Sequence, residues 1–157
     1  MLEPFSEQEL KNIELVKAKY PEPQSALMPV LWLAQHKYGW ISDEVKQYVA
    51  DMLNVSYAQV HGVAHFYTMY FKKPMGKKHI QVCTNVSCMI KGAEEIYQFI
   101  SDKLAIGNNE VTPDGNFSLE EVECMGACGY APMIAVNEEF IENVDINKID
   151  SLMENFK

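Results

Sequence analysis

Two short stretches contain all four cysteines of this chain, VCTNVSC at residues 82–88 and ECMGACG at residues 123–129. The first holds Cys83 and Cys88, and the second holds Cys124 and Cys128, which gives the spacings C-x4-C and C-x3-C with 35 residues between the pairs. We call residues 83–88 the first cysteine segment and residues 124–128 the second. Each follows a stretch with strand character, and the loops after strands of an open sheet can lie side by side. The pattern predicts four sulfurs at one edge of a small sheet.

A disulfide framework is disfavoured by the length and by the start of the chain. The sequence has 157 residues, and a folded chain of this size buries roughly 70% of its unfolded surface without needing disulfides. Residues 1–10 contain three acidic residues and no basic one, which is unlike a secretory signal or an Arg-rich transit peptide. We therefore expect an intracellular protein whose cysteines bind a metal.

Three chemistries compete for the four cysteines. Structural zinc takes four thiolates, usually from C-x2-C to C-x4-C loops. A 2Fe-2S cluster also takes four thiolates, and wider, unequal loops suit it because each of its two irons is reached by a pair. Thiol–disulfide exchange would favour C-x-x-C, which is absent from the sequence. The spacings favour the cluster and leave zinc and unrelated cysteines open.

The charge balance excludes two broad classes of partner. The chain has 13 Lys+Arg against 22 Asp+Glu, a formal net charge of −9. Nucleic-acid binding needs clustered basic residues, and so does attachment to an anionic membrane surface. No apolar run approaches the roughly 20 residues of a membrane-spanning helix. We expect neither nucleic-acid binding nor direct membrane insertion.

The first half of the chain is predicted to form a small helical bundle. Ser6 and Glu9 match a capping box at the start of a first helix, and a second helix is predicted over residues 25–38, before Gly39. Ser42 and Ser56 are expected to cap a third and a fourth helix. The composition changes in FKKPMGKK, residues 71–78, so the predicted domains are a helical subdomain at 1–73 and a second domain at 74–157.

The second domain has the pattern of a small sheet with helices. Strands are predicted at 79–83, 117–124, 133–136 and 140–144, with a turn at Pro113–Asn116. One apolar helix face runs from Ile90 to Leu104, and a last helix carries Ile146, Ile149, Met153 and Phe156. The order β, α, β, β, β, α is close to a thioredoxin-like layout, so the predicted fold class is α+β.

The residues around the cysteines resemble a known family, the E subunit of NADH:quinone oxidoreductase, which is the thioredoxin-like 2Fe-2S subunit of respiratory complex I. The likeness covers the chain from about Ser25 to the end. The departures are Val86-Ser87 and His65, and neither involves a cysteine. The motifs that carry the resemblance are Val82–Asn85, Cys88–Gly92, Thr112–Gly115 and Glu123–Pro132, with Leu33–Gln35, Gly39–Trp40, Gly62–Ala64 and Phe66–Met69 in the first half.

The resemblance implies a specific cofactor and specific partners. It implies a helical bundle followed by a thioredoxin-like 2Fe-2S ferredoxin domain, with one cluster bound by Cys83, Cys88, Cys124 and Cys128. The chain would be an oxidoreductase only as a subunit and would contribute no catalytic residue. FMN and NADH would be bound by the F subunit, with the multi-cluster G subunit alongside. The implied location is the peripheral arm on the cytoplasmic face of a bacterial inner membrane.

The residues support the need for such a partner. A 2Fe-2S cluster moves one electron at a time, whereas hydride removal from NADH needs a two-electron cofactor such as flavin. The sequence contains no G-x-G-x-x-G motif that would bind a dinucleotide. Two alternatives remain open at this point: the equivalent subunit of a soluble NAD-linked hydrogenase or formate dehydrogenase, and a zinc-stapled interaction module.

Several further residues have competing interpretations. His61 and His65 share one predicted helical face, but without a third ligand the sequence favours packing or surface positions for them. The acids Glu120, Glu121 and Glu123 precede Cys124 and are expected to disfavour reduction of a nearby cluster. Four aromatic residues before the domain boundary are expected to pack between the two subdomains or to meet a partner. They are Phe66, Tyr67, Tyr70 and Phe71, and we call them the aromatic group. Gly126 and Gly129 are turn residues or allow close backbone approach to sulfur.

Overall fold

The computed structural model describes residues 2–155, which fold into two compact units divided between Pro74 and Met75. Phe156, which was expected on the last helix, lies outside the described residues. Between residues 2 and 155, no helix is long and apolar enough to cross a membrane.

The first unit is helical. Its elements are α1 (Glu7–Lys17), a 3-10 turn (Pro23–Ala26), α2 (Leu27–Tyr38), α3 (Asp43–Leu53) and α4 (Tyr57–Phe66). Ser6 and Ser56 each form a capping box, with Glu9 and Gln59 respectively, and Ser42 caps α3 through the Val45 N–H. The predicted starts of the first, third and fourth helices are confirmed, because their capping hydrogen bonds are local in sequence. The second helix, predicted from residue 25, begins at Leu27 after the 3-10 turn.

The residues of the aromatic group lie in two different environments, one buried and one exposed. Tyr70 is fully buried, and its hydroxyl donates to the Met28 carbonyl at 2.9 Å. Phe66 is 78% exposed, and its ring meets that of Tyr67 edge-on. Tyr70 therefore packs in the core of the first unit, whereas Phe66 belongs to the surface. Packing of the group between the two subdomains stays a prediction.

The second unit is a five-stranded sheet with helices. Its strands lie in the order β2-β3-β1-β4-β5, and only the pairing of β1 with β3 is parallel. Helix α6 packs against β1, β3 and α7. The elements are β1 (Lys78–Cys83), α5 (Val86–Ile90), α6 (Ala93–Leu104), β2 (Glu110–Val111), β3 (Phe117–Val122), a 3-10 turn (Cys128–Tyr130), β4 (Ile134–Val136), β5 (Glu139–Ile141) and α7 (Ile146–Asn155).

Three details of the sheet unit differ from the sequence prediction. Strand β2 was not predicted, because two residues are too few to show an alternating pattern. Strand β3 ends at Val122, and β5 ends at Ile141 before Asn143 adopts a left-handed conformation with φ of 48°. The predicted helix face from Ile90 is also divided: α5 ends at Ile90, and α6 begins after Gly92, whose φ is 92°.

Candidate metal centre

The parallel pairing of β1 and β3 brings the two cysteine segments to one edge of the sheet. In this register Cys83 lies opposite Val122, two residues before Cys124. The Thr84 N–H continues the ladder by donating to the Val122 carbonyl at 3.0 Å. Both segments therefore leave the sheet from adjacent positions, although 35 residues separate Cys88 from Cys124 in the sequence.

The two cysteines of the first segment are buried in the core of the second unit. Cys83 is 3% exposed and Cys88 is 2% exposed. Met133 contacts both: its carbonyl accepts from the Cys83 N–H at 3.2 Å, and its N–H donates to the Cys88 sulfur. Burial raises the pKa of the Cys88 thiol; the Met133 N–H opposes this shift, while Cys83 and Cys128 add to it. Cys128, from the other segment, is thus close enough to Cys88 to act on its charge.

The second cysteine segment lies at the surface. Cys124 and Cys128 are both exposed, and the Cys124 sulfur accepts a hydrogen bond from the Gly126 N–H at 3.3 Å. Cys128 begins the 3-10 turn, which the Tyr130 N–H closes onto the Ala127 carbonyl at 2.9 Å. The chain leaves this turn through a cis peptide bond between Ala131 and Pro132.

The donor set has the chemistry of an iron–sulfur site. All four cysteines are free thiols, the donor type that Fe–S clusters take. In the part of the chain that the structure describes, no three His, Cys, Asp or Glu side chains form a group that could hold a metal ion. A two-iron cluster makes a different demand, because each iron is bound by a pair of thiolates. Two cysteine pairs at one sheet edge fit that demand.

Gly126 and Gly129 differ in their backbone conformation. Gly126 has a φ of +76°, in the left-handed region that glycine favours, while Gly129 lies outside that region. A Cβ atom at either position would meet no protein atom within 4 Å. The turn role with positive φ is therefore confirmed for Gly126 and is wrong for Gly129. The Gly126 N–H also approaches the Cys124 sulfur, at 3.3 Å, and an added Cβ would meet no protein atom there. For Gly129, close approach to sulfur stays a prediction.

A buried polar network that joins β1 and β3 was missed by the sequence interpretation. His79 is 2% exposed and bridges two strands: its Nδ1 lies 2.8 Å from Ser118 Oγ, and its Nε2 lies 3.0 Å from Glu120 Oε2. Gln81 also donates to Glu120 Oε2, at 2.8 Å. Glu120 is thus held on the sheet, while Glu123 is exposed next to Cys124. In the sequence, the polar residues of this network alternate along each of the two strands. That alternation indicates a network only once β1 and β3 are known to pair.

A family model described as "Thioredoxin-like [2Fe-2S] ferredoxin" matches residues 13–157. The chain belongs to this family. The match confirms the resemblance and the α+β fold, and the 2Fe-2S family supports an iron–sulfur cluster over zinc as the metal group.

Relatives of this [2Fe-2S] ferredoxin family member match its sequence along nearly its whole length. One of them, the second NADH-quinone oxidoreductase E subunit of Rhizobium meliloti, is 40% identical over 94% of this chain and 88% of its own length. The NADH-quinone oxidoreductase E subunit of Rickettsia bellii is 39% identical over 98% and 93%. "NADH-quinone oxidoreductase subunit 2" of Thermus thermophilus is 42% identical over 90% and 80%. These identities confirm the resemblance noted from the cysteine motifs.

A solved structure shares the fold of this ferredoxin family member. A chain of an NAD+-reducing [NiFe]-hydrogenase, in its air-oxidized state, matches with a TM-score of 0.73 at 19% identity. The match covers 83% of this chain and 22% of the hydrogenase chain. At this identity the likeness shows the fold alone.

Proposed function

We propose that this chain is the electron-transfer E subunit of an NADH:quinone oxidoreductase and that Cys83, Cys88, Cys124 and Cys128 ligate one 2Fe-2S cluster. The observation that carries the proposal is the parallel register of β1 and β3, which joins two cysteine pairs distant in sequence. Relatives at about 40% identity that are named as NADH-quinone oxidoreductase E subunits support the choice of complex.

The chain's own residues provide thiolates and hydrogen bonds. When bound, the cluster would supply one-electron transfer. The N–H groups of Gly126 and Met133 donate to the sulfurs of Cys124 and Cys88, which stabilises negative charge on those sulfurs. Because one pair is buried and the other is exposed, the site has one side in the core and one side at the surface, where a partner can approach.

The proposed partner is the F subunit, which would bind FMN and NADH, with the G subunit alongside. The need for a separate flavoprotein follows from the two-electron chemistry of hydride transfer. Exposed apolar side chains next to the cysteines support a protein contact at this place, since such groups mark interaction surfaces. These side chains are Val86, Met89, Ile90 and Tyr130.

Two finer assignments complete the proposal. The helical unit and the sheet unit act as separate domains, 1–73 and 74–157, with the cluster held by the second. The complex places the chain in a peripheral arm at the cytoplasmic face of a bacterial inner membrane. A role in a soluble hydrogenase has the support of a shared fold only, at 19% identity.

The cofactor is tested by purification without oxygen. We expect iron, acid-labile sulfide and the reddish-brown absorption of a 2Fe-2S cluster, whereas bound zinc would leave the protein colourless. Cys124→Ala should bleach the protein, and Ser87→Ala, in the first cysteine segment, should keep its colour. Protein with neither iron nor labile sulfide would overturn the cluster assignment.

The partner is tested by recovering the chain from cells with its associated proteins. We expect a flavoprotein that oxidises NADH, and a hydrogenase large subunit in its place would favour the soluble enzyme. Ile90 is 76% exposed, so Ile90→Asp should fold and keep its colour while losing the flavoprotein. Ile80→Val, at a buried position, is the matched control and should retain it.

A further inference from the structure

Helix α4 presents two histidines one turn apart on its exposed surface. His61 and His65 are both exposed, and their rings stack with centroids 3.9 Å apart and planes inclined by 22°. Residues four apart on a helix lie on the same face, one above the other. The surface interpretation is confirmed, and the two imidazoles are already close together.

The hydrogen bonds of the two rings show which nitrogen faces outward. His65 Nδ1 lies 3.0 Å from the His61 carbonyl, and because a carbonyl only accepts, this Nδ1 carries the proton and Nε2 has a free lone pair. His61 Nδ1 lies 3.5 Å from Lys46 Nζ, a group that only donates. In both rings Nδ1 meets the protein. His65 Nε2 can bind a metal as it stands, whereas His61 Nε2 carries the ring proton, which has to move to Nδ1 before this nitrogen can bind.

Lys46, Asp43 and His65 act on the charge of the His61 ring. Loss of hydration, then the His65 ring and the Lys46 ammonium, lower the pKa of His61. A metal binds the imidazole in its neutral form. Asp43 pairs with Lys46 at 2.7 Å and also attracts positive charge near His61.

We propose that His61 and His65 form a surface site for one divalent transition-metal ion of the Ni²⁺, Cu²⁺ and Zn²⁺ class. Imidazole suits these ions, and two histidines at i and i+4 of a helix can bind one ion together. Among residues 2–155 no group of three metal-binding side chains forms, so water completes the coordination. Binding through His61 Nε2 moves its proton to Nδ1, and Lys46 then turns fully toward Asp43.

Titration of the cluster-loaded full chain with Ni²⁺ tests the proposal, because loaded cysteines do not compete for the metal. We expect one Ni²⁺ site in the unchanged protein. In His61→Gln and in His65→Gln, the affinity for Ni²⁺ should fall by about tenfold or more. His36→Gln, which changes a histidine on α2, should bind normally. Both α4 positions are exposed, so these variants should fold with stability changes within about 0.5 kcal/mol.

A second measurement checks the assigned nitrogens. Ni²⁺ should raise the melting temperature of the unchanged protein and of His36→Gln, but not of His65→Gln, since only binding to the folded state stabilises it. Lys46→Met should bind Ni²⁺ at least as tightly, because it removes the donor that faces His61 Nδ1. Absence of a site in the unchanged protein, equal binding in His65→Gln, or weaker binding in Lys46→Met would each overturn the proposal.

Discussion

The two cysteine segments each hold one pair of cysteines, but the surroundings of the two pairs differ. The first begins at the end of a central strand and buries both of its cysteines, and Met133 bonds to each of them. The second is an exposed loop in which Gly126 donates to Cys124 within the same segment. The difference indicates that the sheet holds the first pair in place with or without a cluster. The second pair depends on its own turn and on what it binds.

The largest expected effect is the loss of stability when Met133, which bonds to both cysteines of the first segment, is replaced. Met133 is 1% exposed, and Met133→Ala should lower the free energy of unfolding by about 2–5 kcal/mol through cavity formation. Met125, inside the second segment, is only partly buried, so Met125→Ala should cost less than about 1 kcal/mol. Urea unfolding of the metal-free protein measures both, and equal losses would contradict the comparison.

Replacing a cysteine of the first segment should likewise cost more stability than replacing one of the second. Cys88→Ala removes the acceptor of the Met133 N–H and leaves a buried donor unsatisfied, which costs about 1–3 kcal/mol. Cys128→Ala changes an exposed side chain, so its effect should stay within about 0.5 kcal/mol. The same unfolding experiment under reducing conditions compares the two. A Cys128 variant as unstable as the Cys88 variant would show that the second segment is also held by the core.

The smallest effect concerns charge beside the exposed segment. Glu123 is exposed next to Cys124, and its negative charge disfavours adding an electron to a bound cluster. At about 7 Å in water two unit charges interact by about 0.6 kcal/mol, which corresponds to on the order of 25 mV for one electron. Glu123→Gln should therefore raise the midpoint potential by that amount, measured by a redox titration followed by EPR.

A matched variant controls for this charge change. Glu139→Gln removes an exposed acid from the edge strand β5, where it pairs with Val136, the partner of Ile80 rather than of Cys83, and should leave the midpoint unchanged. A midpoint that falls or stays the same in Glu123→Gln would contradict the role of this carboxylate.

Sequence interpretation succeeded where the physical cause is local. Ser6, Ser42 and Ser56 accept hydrogen bonds from residues three positions ahead, so each helix start is encoded within one turn. It failed for β2, whose two residues exist as a strand only because β3 pairs with them. The division between α5 and α6 was also missed, although Gly92, with a φ of 92°, was its signal.

The amino-acid order alone was enough to locate the helices, most of the strands, the thiols and their spacings, because these depend on neighbouring residues. Tertiary structure was needed to place Cys83 opposite Val122, to bury Cys88 while exposing Cys128, and to join His79 to Glu120. These features depend on which strands pair and in what register. The residue pattern of one strand does not indicate which strand pairs with it, so only the folded sheet specifies these contacts.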